Sequence, residues 1–335
     1  MPLPVVNITI PVFNRFHLTQ KTILSLRRCS QRIPFVITVV DNGSEPDLAQ
    51  RLVEFYKDGI IDHLFRLPEN MGISCAANIG WQLVEAPFYM KLDNDIQILD
   101  PEWLIKLFRL WSHGQPLSTL SPVWLNGAVL SDLSSVCEDD KKLFEHAQSI
   151  HTPDGILGFC ETNGAGAGIL IPKALSDVLG LWNEDYGLYG AEDGDYGLRM
   201  VCSGFPQYLY LATGLTEHLG AVSNESWEVD RKKEHRNLFI DPQGGLGLFK
   251  INHYLYSQHI RTCKVPLRYE VVDIDSNNAV RLAEREEYLR VRKALTKCKY
   301  LLDKQVDEKG KYAIFDPEFV ALLKNIMARC GQSCS

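Results

Sequence analysis

With 335 residues, 45% of them apolar and 23% charged, the chain has a globular composition and room for one large or two modest domains. A formal charge of −7 argues against wholesale nucleic-acid binding, and nine scattered cysteines lack the paired spacing of a zinc site. No run reaches the roughly 18 consecutive apolar residues of a membrane span, and the cysteine pattern points to reduced thiols in a cytoplasmic compartment.

In chain order, the first strand follows Met1 within a few residues, so no secretory leader is expected. Residues 7–12 read as that strand, with Pro11, which cannot donate to a ladder, marking its end. Residues 17–28 read as a helix with Leu18, Ile23 and Leu26 on one stripe. The β-branched run 35–40 predicts a strand buried on both faces of a parallel sheet, ending in the turn formers Asp41-Asn42-Gly43-Ser44. A helix at 47–57, a strand at 63–67, a helix at 74–84 and an apolar strand at 86–92 follow. Strand, turn and helix thus repeat three times, the pattern of a doubly wound open sheet.

Ligands of such sheets lie beyond the carboxyl ends of the strands. Four polar clusters therefore fall on one rim: Asn14/Arg15, Asp41 to Ser44, Asn70/Gly72, and Asp93-Asn94-Asp95. The last closes an apolar strand with two carboxylates that need not share a task. One can hold a divalent ion, Mg²⁺ or Mn²⁺, and the other a ribose or a water. Alone, the same residues would read as a solvated turn; the shared rim favours the ion. No Gly-rich dinucleotide fingerprint or P-loop lysine is present, so phosphates would be met by a metal and basic groups.

Residues 101–111 form the next expected helix, with Pro101 at its first position and Asp100 as cap. After a strand at 118–123, a long loop holds Glu138-Asp139-Asp140 and reads as a lid or a surface elaboration. The alternating glycines of 163–168 precede a strand at 169–171 and either admit an acceptor or pack tightly. A short helix at 173–179 ends at Gly180. Glu192-Asp193 then opens a helix running to about 202, where acidic residues complement the macrodipole or act in chemistry. A strand at 208–211 is followed by His218, within reach of the same rim. Beyond Trp227 comes a basic stretch with Arg231, Lys232, Lys233, His235 and Arg236, and Gly244-Gly245 reads as a boundary. Residues 250–335 carry 16 Lys and Arg against 11 Asp and Glu, which leaves the preceding body at −12. There Tyr288, Val291, Leu295, Cys298 and Leu302 share one helix face, expected to pack on its own domain rather than on a membrane.

Pro11-Val12-Phe13-Asn14-Arg15, Val40-Asp41-Asn42-Gly43-Ser44, Asn70-Met71-Gly72 with Asn78-Ile79-Gly80, Asp93-Asn94-Asp95 and Glu192-Asp193, in that order, resemble the family-2 glycosyltransferases of the GT-A fold over about residues 5–220. The resemblance implies an α/β doubly wound, mostly parallel sheet flanked by helices, with a mainly helical C-terminal extension. A catalytic domain would span 1–245, its nucleotide-sugar half about 1–100 and its acceptor half about 101–245, with the extension at 246–335. By resemblance, Pro11, Asn14, Arg15, Asn70 and, as a secondary candidate, Arg66 face the nucleotide. Asp41 accepts from the base imide N–H, and Asp93 with Asn94 lies at the ribose or sugar. Asp95 and His218 hold Mn²⁺ or Mg²⁺, Asp193 is the base, and Glu192 positions the acceptor.

The implied activity is inverting, metal-dependent transfer of a hexosyl or N-acetylhexosaminyl group. The donor would be a UDP-sugar first and a dTDP-sugar second; the acceptor would be a hydroxyl of a glycan, lipid-linked glycan or protein. A cytoplasmic enzyme, peripheral at the inner membrane face through its basic tail, is expected. Sugar-phosphate nucleotidyltransferases are the enzyme alternative, but their Gly-rich Arg/Lys loop after the first strand is replaced here by Pro-Val-Phe-Asn-Arg. A binding module without catalysis is the other, against which both Asp95 and Asp193 stand. Residues beyond 245 are expected to serve acceptor binding or oligomerisation and to contribute little to the donor site.

Overall fold

The structure, a computed structural model, describes residues 5–124, 148–151, 157–161, 166–188, 190–222 and 247–332. The acidic cluster at 138–140, Asn163 to Ala165, the basic stretch after Trp227 and the Gly244-Gly245 boundary lie outside these residues.

The first half alternates as expected: β1 (Val6–Val12), α1 (Phe16–Arg27), β2 (Phe35–Asp41), α2 (Pro46–Lys57), β3 (His63–Arg66), α3 (Ile73–Leu83) and β4 (Phe88–Leu92). A short β5 (Ile96–Ile98) and α4 (Trp103–Trp111) follow, then β6 (Thr119–Val123), β7 (Gln148–His151), β8 (Leu157–Glu161) and β9 (Gly168–Pro172). Next come α5 (Lys173–Leu179), α6 (Glu192–Cys202), β10 (Gln207–Leu211) and β11 (Thr216–His218). Among the described residues, nine strands make one sheet in the order β3-β2-β1-β4-β9-β6-β10-β8-β7. All but β8 and β9 run the same way, so the sheet is mostly parallel in direction, and parallel in pairing through its first four strands.

Strand β1 explains how the layers form. Val6, Ile8, Ile10 and Val12 point into the larger core with Phe16, Ile23, Leu26 and Leu104. Each such buried side chain contributes roughly 1.5–3 kcal/mol. The opposite face is small and polar: the Asn7 amide donates to the carbonyls of Gly80 (3.1 Å) and Val84 (2.8 Å) at the end of α3. A Cβ on Gly80 would meet Thr9 Cγ2 at 2.5 Å, so glycine there lets α3 lie directly on the sheet.

Pro11 does not end β1, contrary to the sequence reading. It sits inside the strand opposite Val40. Asn42 N–H donates to the Val12 carbonyl on the β2 side, so Pro11 faces the β4 side. Pairing with β4 has already stopped at Thr9, and the missing N–H has no partner to lose. Asp100 caps a turn before α4 rather than the helix itself, accepting from Glu102 N–H at 2.8 Å.

The C-terminal extension holds α7 (Leu248–Ser257), α8 (Glu286–Lys309) and α9 (Pro317–Ala328), with a core of Ile251, Leu255, Val291, Leu295, Leu302, Leu323 and Met327. It also holds a hairpin absent from the sequence reading, β12 (Tyr269–Ile274) with β13 (Val280–Glu284). A buried polar network ties the extension to the main domain. Asp195 of α6, fully buried, accepts from Asn252 (3.0 Å), Tyr186 (3.0 Å) and Arg199 (2.9 Å). Asn252 accepts from Arg261 (2.8 Å), whose guanidinium lies 3.6 Å from Asp185. Asp185 also accepts from Tyr288 at 2.5 Å.

Candidate active site

The rim predicted from the sequence is present at the carboxyl ends of β1, β2, β3 and β4, and it divides into three neighbourhoods. At the first, Asp41 ends β2 and is buried. Its Oδ1 accepts from Ser44 N–H at 2.9 Å, which folds the turn over Gly43. Gly43, at φ +77°, has no room for a Cβ, which would lie 2.4 Å from the Glu69 backbone. Asn14 donates its N–H to Ser44 Oγ (2.9 Å) and accepts from Glu45 N–H (2.9 Å), locking the β1 and β2 loops together. Asn70 accepts from Asn42 and from Gly72 N–H, which shapes the loop after β3. Arg66 Nε stands 3.6 Å from Asp41 Oδ2 and makes no hydrogen bond. Beside this pair opens a cavity of about 260 Å³ lined by Asp41, Gly43, Ser44, Arg66, Pro68 and, from the extension, Ala279 and Val280. The extension therefore reaches this rim.

The second neighbourhood is built around Asp95. Asn14 and Arg15 are consecutive left-handed residues (φ 56° and 53°), a strained pair at roughly 1–2 kcal/mol each for ordinary side chains. That kink turns Arg15 inward, and its Nη1 donates to Asp95 Oδ2 at 3.1 Å. The two-stranded ladder of β5 and β11 pairs Ile96 with His218, and Leu219 N–H donates to the Asp95 carbonyl. His218 Nε2 thereby comes within 3.4 Å of Asp95 Oδ1, with Trp124 stacked on the imidazole. Burial pushes the Asp95 carboxyl up, but the hydrogen bond and charge of His218 and the guanidinium of Arg15 outweigh it and hold it below the usual carboxylate range. The bond to Asp95 in turn raises His218.

Asp95 Oδ1 is buried with no hydrogen bond of ordinary geometry. A hard oxygen and an imidazole nitrogen side by side suit a divalent ion such as Mn²⁺. No group of three His, Cys, Asp or Glu among the described residues could hold one alone.

The third neighbourhood centres on Lys91, which the sequence reading left inside an apolar run. It is 1% exposed, and its ammonium donates to Asp93 Oδ1 (3.1 Å) and to the Gly166 carbonyl (2.9 Å), with Glu192 Oε1 at 3.8 Å. Burial disfavours its charge, yet Asp93, Glu192 and Asp193 more than compensate, so it stays protonated. Glu192 is buried, accepts from Gly190 N–H (3.1 Å), and has its carboxyl raised by that burial against the pull of Lys91. Asp193 Oδ2 accepts from Gly166 N–H (3.1 Å) and Oδ1 from Gly194 N–H (2.8 Å). Each oxygen has a second lone pair with which to accept. A Cβ on Gly166 would meet Asp193 Cβ at 2.9 Å and Lys91 Nζ at 3.2 Å, so that glycine is what admits the carboxylate. Asn94 has a different occupation: its amide donates to Thr19, and its carbonyl accepts from Thr22, which anchors the acidic turn to α1. The signal that could have found Lys91 is a lone cation in a strand otherwise buried throughout, since such a charge demands carboxylate partners.

Residues 7–126 match the model of Glycosyl transferase family 2. Hyaluronan synthase of Pasteurella multocida is 21% identical over 262 residues, covering 70% of this chain and 26% of the synthase, so the chain spans about a quarter of that relative. A solved structure of GalNAc-T7 with UDP, GalNAc and Mn²⁺ superposes with a TM-score of 0.50 at 16% identity, over 85% of this chain and 65% of that one. That likeness is one of fold, the GT-A arrangement.

Proposed function

We propose, from the match of residues 7–126 to the model of Glycosyl transferase family 2, that the chain moves a hexosyl or N-acetylhexosaminyl group, with inversion, from a UDP- or dTDP-sugar to an acceptor hydroxyl. The observation that carries this reading is Lys91, which joins the acidic strand end to Glu192 and Asp193. Donor-facing and base-bearing motifs, a hundred residues apart in the chain, thereby share one site.

Asp41 Oδ2 accepts the imide N–H of the base, and Asn14 and Arg66 flank it. Asp95 and His218 would hold Mn²⁺ or Mg²⁺ together with the diphosphate, and the ion would supply charge stabilisation for the leaving group. Arg15, fixed beside Asp95, adds a positive charge on the same side. Burial raises the Asp93 carboxyl, and Lys91 pulls it back only in part while balancing the carboxylates about it. Asp193 takes the proton of the attacking hydroxyl, and Glu192 orients the acceptor. One base opposite the diphosphate suffices for an in-line displacement.

A panel of nucleotide sugars with Mn²⁺, followed by mass spectrometry of products, tests the activity and names the donor. Asp193→Asn is expected to lower kcat by about 10²–10⁴-fold with donor affinity nearly unchanged. A folded variant with most of its kcat would remove Asp193 as the base.

A further inference from the structure

The cavity beside Asp41 is not closed by the family-2 segment alone. Its far wall is Ala279 and Val280, delivered by the turn between β12 and β13. That turn is fixed in three ways. Asp275 Oδ1 accepts from the N–H groups of Asn277 and Ala279, both at 2.8 Å. Asn278, in the left-handed conformation at φ 60° that asparagine tolerates, donates its N–H to the Asp275 carbonyl (3.0 Å) and offers its own carbonyl to Arg66 N–H at 2.8 Å. Arg66 and Ala279 are bridged in parallel, so the turn continues the edge of the main sheet. Val280, 4% exposed, is pinned among Val40, Phe65, Leu67, Cys75 and Ile79.

The turn is thus a built part of the rim. Ala279 itself is exposed and carries only a methyl group where it lines the cavity. At about 260 Å³ the cavity is below the usual ligand-pocket range of roughly 300–1,000 Å³, sized for a base rather than a whole donor.

We infer that the 275–280 turn is the outer wall of the base pocket, and that Ala279 sets how large a base the pocket admits. This rests on reading the cavity as the base site of a nucleoside diphosphate donor.

The test uses the full chain with Mn²⁺ and isothermal titration of UDP, CDP and GDP. Ala279→Trp, whose indole projects from an exposed position into the cavity, is expected to weaken the best-bound nucleotide at least about tenfold, with the melting temperature unchanged. A Trp variant that binds like the unmodified chain overturns the wall while the donor reading stands. An unmodified chain that binds none of the three overturns both. Preference for GDP removes the pyrimidine role of Asp41, and the effect of Ala279→Trp on GDP still decides the wall.

Discussion

A lysine that is 1% exposed survives only where carboxylates surround it, and Lys91 has Asp93 and Glu192 within 4 Å. Removing it leaves those carboxylates buried without their cation. Lys91→Met is therefore expected to cost about 3–5 kcal/mol in urea unfolding at pH 7. The cost should shrink at pH 5, where protonation relieves the stranded carboxylates; a loss independent of pH would refute the pairing. Glu184 makes a separate pH statement. Burial pushes its carboxyl up to about 7, although Asn78 and the Arg268 N–H both donate to it. Between its ordinary value of 4.5 and about 7, the folded chain holds this proton and the unfolded chain does not. The stability it contributes is full below that window and is lost as pH rises through it, by on the order of 3 kcal/mol. Relative to Glu184→Gln, which cannot titrate, the unmodified chain should lose that amount of unfolding free energy as pH rises across the window. A constant difference would remove the assignment.

Among the elements, the β5–β11 ladder has the most demanding task, because it brings His218 to Asp95. The helical turn that follows β11 passes so close that a Cβ on Gly220 would lie 2.0 Å from Asp95 Oδ2 and 3.2 Å from Arg15 Nη2. Gly220→Ala should displace the carboxylate and weaken Mn²⁺-dependent UDP binding at least tenfold, with a melting temperature within about 4 °C of the unmodified chain. Calorimetric titration and a melt check this, and unchanged binding would mean that Asp95 is not a metal ligand. The elements themselves differ in how far local pattern announces them. Strands β1, β2 and β4 are apolar runs closed by turn formers, and they were legible together with the rim they create. The nearness of His218 to the rim was legible from its place after the 208–211 strand, but the short strand Thr216–His218 that carries it was not. The β12–β13 hairpin was not, because Glu270, Asp273, Arg281 and Glu284 leave it polar and largely exposed, with Val280 its single deeply buried apolar residue. Lys91 was hidden by its apolar neighbours in the same strand. Ala279 has no local signature at all, since its importance lies in contact with residues far away in the chain.

For the molecule as a whole, the extension is fastened by charge as well as by packing. Asp195 depends on Asn252, and Asp185 on Tyr288 and Arg261. A chain cut after residue 246 would strip the buried Asp185 of Arg261 and Tyr288, at about 3–5 kcal/mol, while Asp195 would lose Asn252 but keep Arg199 and Tyr186. Against a total stability of about 5–15 kcal/mol, that is a large share. The truncated chain is expected to show no cooperative transition in scanning calorimetry; a sharp transition would make the extension an independent appendage. No described helix is long and apolar enough to cross a membrane. The hydrogen bond from Arg66 to the Asn278 carbonyl also has a consequence in time. More than two hundred residues separate its ends, and synthesis proceeds at about 5–20 residues per second. The first four parallel strands can pair on the ribosome, yet the cavity beside Asp41 stays open on one side for on the order of ten seconds or more, until the hairpin emerges. The cavity is thus not walled on all sides until residues 279 and 280 have been made.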